Sequence, residues 1–155
     1  VGRQLGAGAD TAVVLDPNAA GLTAEQFRTL VLPAYRKITA RIGCPLVLHI
    51  CGNTGKLLAA VSESGFAAFS FEYPAVDPAD VKKSLGGRMR VVGSVPTVTH
   101  LLNGVREDVL AVSRRMLEGG VDLLAPSCFT PPETPVSNAR AMREAIEAWN
   151  GLEGA

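Results

Sequence analysis

The sequence predicts an α/β fold built around a parallel β-sheet, and three features of the chain carry this prediction. Apolar, β-branched runs recur along the sequence, and each is followed by a segment whose apolar residues have helical spacing. The runs are nearly continuous rather than alternating, which is typical of parallel strands covered by helices. Their ends lie roughly 23 to 33 residues apart, the spacing of repeated βα units.

The apolar runs predict five strands: Thr11–Asp16, Pro45–Cys51, Ala67–Glu72, Arg90–Val95 and Val121–Ser127. Five parallel strands fit either a doubly wound sheet or part of a (β/α)8 barrel. A complete barrel needs about 250 residues, so a chain of 155 residues accommodates only part of one. The dinucleotide-binding type of doubly wound sheet is less favoured, because no glycine-rich fingerprint follows any strand.

The segments between the strands carry helix signals. Thr23 and Gln26 have the spacing of a capping box, and Pro33 is expected to kink or split the helix that follows. Asp77 and Pro78 predict the start of a shorter helix, because aspartate caps helices and proline suits their first turn. Three further helices are expected to begin near Asn53, Val105 and Thr134.

Composition excludes several classes of protein. Hydrophobic residues make up 47% of the chain and charged residues 19%, as in a folded domain and unlike a disordered chain. The 15 basic and 15 acidic residues balance, and no basic stripe predicts a nucleic-acid partner. The apolar runs are too short to span a bilayer, and no secretory leader is recognisable, so no membrane partner is expected. Three cysteines without disulfide-scaffold spacing favour a reducing, cytoplasmic setting.

A candidate metal site lies where the second predicted strand meets a glycine. His49 and Cys51 are two residues apart in a strand, so their side chains project from the same face, at the carboxyl end where α/β proteins carry their chemistry. Cys128 follows the last predicted strand and is the third candidate ligand. One nitrogen and two thiolates suit a catalytic zinc site with an open position. A histidine and a cysteine in an apolar strand are also compatible with ordinary packing. Cys44 and His100 are interpreted as structural residues.

The chain resembles a known family in several stretches. They are "LHICGNT", "AAFSFE", "VVGSVPTVTHLLNG" and "GGVDLLAPSCFTPPETPVSNARAM". Together they resemble the C-terminal half of the uroporphyrinogen decarboxylase superfamily, and more narrowly its zinc-dependent branch of methylcobamide:coenzyme M and related corrinoid methyltransferases. The resemblance implies a (β/α)8 barrel of which this chain holds about the last five βα units, as a single domain over residues 1–155.

The resemblance also implies roles for individual residues. His49, Cys51 and Cys128 are implied as ligands of Zn²⁺, and Glu72 as an acidic side chain that occupies the fourth position until a thiol displaces it. A carboxylate at that strand end is equally compatible with simple solvation. Asp16, Asn53 and Ser94 are candidate substrate-binding residues. Asn53 lies at a helix start that is a candidate site for an anionic substrate tail, and Ser94 stands where relatives often have asparagine.

The implied reaction moves a methyl group from a methylcobamide, carried by a corrinoid partner protein, to a small thiol such as coenzyme M. The alternatives are a zinc-activated thiol alkyltransferase with another donor, such as an epoxide or methyl-folate, and a decarboxylase-like barrel whose His and Cys residues are inert. A third alternative is a truncated, non-catalytic barrel half that forms homo-oligomers, because an open half-barrel exposes strand edges and apolar residues.

Overall fold

Four parallel strands form the sheet in the order in which they occur along the chain. They are β1 (Ala12–Asp16), β2 (Leu46–Ile50), β3 (Ala68–Ser70) and β4 (Arg90–Val92). A doubly wound sheet reverses its strand order at a switch point, whereas the order β1-β2-β3-β4 contains no reversal. The predicted α/β fold class is therefore confirmed, with the strand order of a partial barrel. The computed structural model describes residues 1–153, so the last two residues of the predicted domain lie outside the described residues.

The fifth predicted strand, Val121–Ser127, differs from the prediction. It pairs with β4 and its continuation through two isolated parallel bridges, Val92 with Leu123 and Val95 with Pro126. Backbone hydrogen bonds form at both bridges, among them Gly93 N to Leu123 O at 2.9 Å and Ser127 N to Val95 O at 2.8 Å, but Gly93 between them has φ of +134°. The neighbouring chain therefore leaves the extended conformation that continuous pairing requires. The chain therefore contributes four strands and one bridged segment, rather than five continuous strands.

Helices and tight turns connect the strands. The α-helices are α1 (Gly2–Gly6), α2 (Ala24–Gln26), α3 (Leu32–Arg41), α4 (Leu58–Val61), α5 (Pro78–Leu85), α6 (Arg106–Glu118) and α7 (Val136–Glu153). Two 3₁₀ turns span Ala19–Gly21 and Gly55–Leu57, and two π turns span Phe27–Val31 and Thr97–Leu102. Within residues 1–153, no helix combines the length and the apolar character needed to cross a membrane.

Local sequence explains where three of these helices begin. The capping box is confirmed, because Thr23 Oγ1 accepts from Gln26 N at 3.1 Å and Gln26 Oε1 accepts from Thr23 N at 2.9 Å. Pro33 lies in the first turn of α3, directly after a π turn, so the helix is split as predicted. Asp77 Oδ1 accepts from Ala79 N at 3.0 Å and caps α5.

The two faces of the sheet have different surroundings. The face toward the helices carries fully buried core residues, among them Leu48, Phe69 and Val91. On the other face, the parallel register aligns one row of residues across the sheet. The row is Leu15, His49, Ser70, Val92 and Leu123. All five border a cavity of about 550 Å³, and we call this side of the sheet the cavity face.

Asp122 holds the amino end of the bridged segment, residues 121–127, against the sheet. Its carboxylate accepts from Lys82 Nζ at 2.7 Å, Arg90 Nη1 at 3.1 Å and Val91 N at 2.8 Å. Burial alone would raise the pKa of Asp122, but these three donors outweigh it, and the pKa lies below the ordinary value for aspartate. The ionised carboxylate therefore contributes to the stability of the fold.

Replacing Asp122 with asparagine is expected to destabilise the chain in a pH-dependent way. At pH 7 we expect the free energy of unfolding in urea to fall by about 1–2 kcal/mol. Hydrogen bonds to a charged group contribute about 1.5–3 kcal/mol, and the solvent exposure of Lys82 and Arg90 reduces this value. A carboxylate with a depressed folded pKa stabilises above its unfolded pKa of about 3.9 and loses that contribution as the pH falls through the folded pKa. The difference in the free energy of unfolding between wild type and D122N should therefore become smaller below about pH 4. Equal stability at pH 7 would contradict the assignment, and the exposed Asp10→Asn is the control.

Candidate metal centre

The site is built where β2 ends. The apolar strand Leu46–Ile50 carries His49 on the cavity face, and Cys51 follows on the same face. Gly52 has φ of +81°, a backbone conformation that side-chain-bearing residues rarely adopt. The chain turns there, and the Gly52 N–H donates to Glu72 Oε2 at 2.9 Å. The strand end and the loop after β3 are thereby held together.

Four potential metal donors converge at this point. His49, Cys51, Glu72 and Cys128 each offer one ligand atom, and these atoms all lie within 4.8 Å of one another. Cys51 Sγ is 3.5 Å from His49 Nε2 and 3.9 Å from Cys128 Sγ. The last of these residues belongs to the loop after the bridged segment, so three separate βα units supply the cluster. His49 is buried, whereas both thiols are partly exposed.

The spacing of the donors fits a tetrahedral zinc ion. Zinc binds sulfur at about 2.3 Å and imidazole nitrogen at about 2.0–2.1 Å, so tetrahedral geometry separates two sulfurs by about 3.8 Å and a sulfur from a nitrogen by about 3.5 Å. The observed separations between Cys51 and its two neighbours, 3.9 Å and 3.5 Å, match these values within 0.1 Å or so. One imidazole, two thiols and a carboxylate are also the ligand types that zinc uses in proteins. The residues therefore fit the metal that the sequence predicts.

The surroundings of His49 favour its neutral form. Burial lowers the pKa of His49 below the ordinary value for histidine, and the nearby Glu72 carboxylate and Ser70 oppose this shift only in part. The ring Nδ1 lies 3.0 Å from Ser70 Oγ, which leaves Nε2 facing Cys51. A neutral imidazole with one nitrogen engaged elsewhere is the form in which histidine binds a metal.

The thiol of Cys51 is held in its protonated form in the metal-free chain. Burial, followed by the hydrogen bond and charge of Cys128 and the charge of Glu72, raises the pKa of Cys51 to about 11. Metal binding must therefore displace a proton from this sulfur. The same crowding of sulfur and carboxylate that disfavours a thiolate favours a divalent cation.

Comparison with known proteins shows the family. The sequence model described as Uroporphyrinogen decarboxylase (URO-D) matches residues 1–149. This chain belongs to the uroporphyrinogen decarboxylase family.

The curated relatives of this chain include methyltransferases. A methylcobamide:CoM methyltransferase from Methanosarcina barkeri is 36% identical over 145 residues, which cover 92% of this chain and 43% of the relative. A methylated-thiol–coenzyme M methyltransferase from Methanosarcina mazei is 35% identical over 136 residues, covering 86% of this chain and 36% of the relative. A uroporphyrinogen decarboxylase from Synechocystis is 29% identical over 124 residues, covering 76% of this chain and 35% of the relative.

The fold is shared with a solved structure described as a methyltransferase from Methanosarcina mazei. The two have a TM-score of 0.90 and 32% sequence identity, and the match covers 94% of this chain and 44% of that one. This chain therefore spans less than half the length of these three curated relatives and of this methyltransferase.

Two of the predicted site residues lie near the cluster without joining it. Asp16 belongs to the helix-facing side of β1, where its Oδ2 accepts from the Tyr35 hydroxyl at 2.5 Å and its Oδ1 accepts from two backbone amides. Ser94 is fully buried; its Oγ donates to Phe71 O at 2.7 Å and accepts from Tyr73 N at 3.0 Å. Ser94 therefore holds the backbone on both sides of Glu72 and does not face the cavity.

Asn53 lies in a separate depression beside the cluster. It does not cap a helix; its Oδ1 accepts from Gly55 N at 3.1 Å in a local turn, before the 3₁₀ turn begins. Together with Ala20, Gly21 and Lys56 it lines a cavity of about 560 Å³. The depression holds one cationic side chain among these four lining residues, Lys56.

Cys44 and His100 lie outside the cluster. Cys44 lies before β2, at the opposite end of that strand, and packs against the hydrophobic core. His100 lies in the π turn after β4, where its Nδ1 is 2.9 Å from Thr99 Oγ1.

Sequence reasoning did not identify Ser70 as part of the site. It is buried, lies beside His49 in the parallel register, and its hydroxyl contacts the imidazole. The signal was present in "AAFSFE", because Ser70 lies two residues before Glu72 and strand alternation places both on one face. Finding the partner of Ser70 required the register between β2 and β3, which a single sequence does not contain.

The raised pKa of Cys51 predicts slow alkylation of this thiol in the metal-free chain. At pH 8 we expect iodoacetamide to modify Cys51 in the folded chain about ten times more slowly than in the urea-unfolded chain, after allowing for the greater intrinsic nucleophilicity of a more basic thiolate. The rate should rise about tenfold per pH unit between pH 8 and pH 10, because the thiolate fraction rises in that proportion. Peptide mass spectrometry measures the modification at each cysteine. Equal rates in the folded and unfolded chains would show that the Cys51 thiol is not perturbed.

Proposed function

We propose that this chain carries the metal- and thiol-binding part of a methyltransferase that moves a methyl group from a methylcobamide on a corrinoid protein to a small thiol. The observation that carries the proposal is the convergence of His49, Cys51, Glu72 and Cys128 within 4.8 Å at the carboxyl ends of the strands. The names of the methyltransferase relatives support the donor and acceptor classes, coenzyme M among the acceptors. A reducing cytoplasmic setting belongs to the proposal, because the ligands must remain free thiols.

In the proposed site, Zn²⁺ is held by His49, Cys51 and Cys128, with Glu72 as an exchangeable fourth donor. Bound zinc supplies the chemistry of thiol activation, because it favours the thiolate of a substrate over the unreactive thiol at neutral pH. The Glu72 carboxylate accepts from the Gly52 N–H, and this hydrogen bond would keep it beside the zinc ion after a thiol displaces it. Cys51 and Cys128 bring negative charge that keeps an incoming sulfur electron-rich.

The reaction itself needs few protein groups. The substrate thiol loses its proton to solvent, its sulfur bonds to the methyl carbon, and the carbon–cobalt bond breaks with its electron pair left on cobalt. The protein contributes position and an apolar surface. Leu15, Leu123 and Phe129 are large, exposed apolar side chains on the wall of the same cavity as His49 and both candidate cysteine ligands, and they exclude water from the reacting sulfur once the donor covers them.

The depression lined by Asn53 and Lys56 is the proposed place for the anionic tail of the thiol. Asn53 uses its Oδ1 in the turn with Gly55, so its amide NH₂ remains able to donate to an anion. Lys56 is exposed and supplies the positive charge. The loop 52–55 connects this depression to Cys51, and in the proposal the thiol sulfonate has its sulfur at the metal and its tail at Lys56.

One different function is favoured by a specific observation. Val13, Leu15, Leu123 and Phe129 are more than half exposed on one side of the molecule. Apolar surface of this kind suits burial against another chain, so self-association of a non-catalytic barrel half is the second candidate. It predicts a concentration-dependent dimer in sedimentation experiments and no requirement for His49, Cys51 or Cys128.

Zinc content tests the proposed metal centre. We expect the purified chain, reconstituted with zinc and dialysed, to hold close to one zinc per chain, and Cys128→Ala to hold less than about a tenth of that amount because a thiolate ligand is lost. Cys44→Ala is the matched control, since it removes a partly buried cysteine outside the cluster. Atomic emission spectroscopy measures the metal. Equal zinc in wild type and Cys128→Ala would contradict the ligand set.

Methyl transfer tests the reaction and the thiol site together. We expect the zinc-loaded chain to methylate 2-mercaptoethanesulfonate from free methylcobalamin, and Lys56→Gln to raise KM for this thiol about two- to fivefold, the range for an exposed ion pair. The KM for uncharged 2-mercaptoethanol should not change, because that thiol has no anionic tail. Lys37→Gln, an exposed lysine on α3, is the control variant. No methyl transfer by a zinc-loaded chain would contradict the proposed reaction for this chain.

A further inference from the structure

The row of residues that crosses the cavity face gives His49 two sheet neighbours of opposite character. On one side the register places Leu15, which is apolar and offers no hydrogen bond. On the other side it places Ser70, whose Oγ lies 3.0 Å from His49 Nδ1. Across the part of the chain that the structure describes, this contact is the one side-chain hydrogen bond of Ser70. No other described residue therefore competes with the ring for the Ser70 hydroxyl.

The distance between the two atoms matches a bond in which the imidazole N–H donates to the serine oxygen. A ring N–H that donates to a hydroxyl oxygen has a usual separation of about 2.9–3.0 Å. The observed 3.0 Å fits the imidazole as the donor. Ser70 lines the cavity, so its own hydroxyl proton can be accepted by solvent there.

We propose that Ser70 is a positioning residue that fixes the tautomer of His49 with its proton on Nδ1, so that the lone pair of Nε2 faces the two cysteine sulfurs. This inference rests on the proposed function, because it is a bound metal that requires the Nε2 lone pair. The tautomer itself can be measured in the chain without metal. Nε2 lies 3.5 Å from Cys51 Sγ, on the side of the ring away from Ser70. Hydrogen bonds to the second nitrogen are the usual means by which proteins orient a ligating histidine.

The sequence makes this tautomer unusually accessible to measurement, because the chain contains two histidines. In a ¹⁵N-labelled, metal-free His100→Gln chain, long-range proton–nitrogen correlation spectra contain the signals of His49 alone. At about pH 8, above the ordinary histidine pKa of about 6.5, we expect Nδ1 to have the shift of a protonated nitrogen and Nε2 that of an unprotonated one. Adding Ser70→Ala should shift the population toward the Nε2–H tautomer.

Zinc affinity supplies the second readout. By competition with a chromophoric chelator, Ser70→Ala should bind zinc about 10- to 100-fold more weakly than wild type, the usual effect of losing a hydrogen bond to a ligating histidine. Ser70→Thr retains the hydroxyl and should restore most of that affinity. Ser113→Ala is the matched control, because it removes a buried serine hydroxyl that has no hydrogen-bond partner in the described structure and lies on α6.

The outcomes separate this inference from the proposed function. An Nε2–H tautomer in the wild-type background overturns the role of Ser70, whether or not zinc binds. An Nδ1–H tautomer in a chain that binds no zinc supports the role of Ser70 and contradicts the metal centre. Equal zinc affinities for wild type and Ser70→Ala, with zinc bound at the cluster, also overturn the inference.

Discussion

The parallel register of the sheet is the constraint on which the rest of the site depends. Because β1 to β4 run in one direction and in chain order, their carboxyl ends meet at one edge, and side chains distant in sequence become neighbours. His49 lies beside Ser70 through this register, and the bridges to the segment before Cys128 bring the second thiol within 3.9 Å of Cys51. A shift of one residue in the pairing of β2 would turn His49 into the helix-facing core.

Burial and donor chemistry act together at this edge. Burial lowers the pKa of His49, and burial together with Cys128 and Glu72 raises the pKa of Cys51, so the imidazole is neutral and the thiol is protonated at neutral pH. The ligand atoms lie within 4.8 Å of one another, so a divalent cation can bind there in place of the thiol protons without a large movement of the backbone. The Gly52 N–H bond to Glu72 and the two backbone bonds of Ser94 hold the carboxylate beside the sulfurs. The protein's own hydrogen bonds therefore keep the candidate donors together.

Much of the fold and the centre of the site could be predicted from the sequence, because both have local signals. Continuous apolar runs indicated the strands, the Thr23 capping box indicated a helix start, and the spacing of His49 and Cys51 indicated a shared face. What failed depended on three-dimensional pairing. Asp16 was expected near the cavity, but strand alternation together with the Tyr35 hydroxyl places it on the other face. The fifth strand is interrupted because its neighbour leaves the extended conformation at Gly93, where φ is +134°, and an apolar pattern does not reveal this.

The four candidate metal donors all lie between residues 49 and 128 of this chain. The proposed activity has two parts, which are metal binding and binding of a large corrinoid donor. The two parts need different residues. Metal binding needs the four donors and the residues that orient them, and one stretch of chain supplies all of these. Donor binding needs a surface around the cavity, where Leu15, Leu123 and Phe129 are exposed. The proposed metal binding therefore needs only this stretch of chain, whereas the proposed methyl transfer also needs the exposed apolar wall to receive the corrin of the donor.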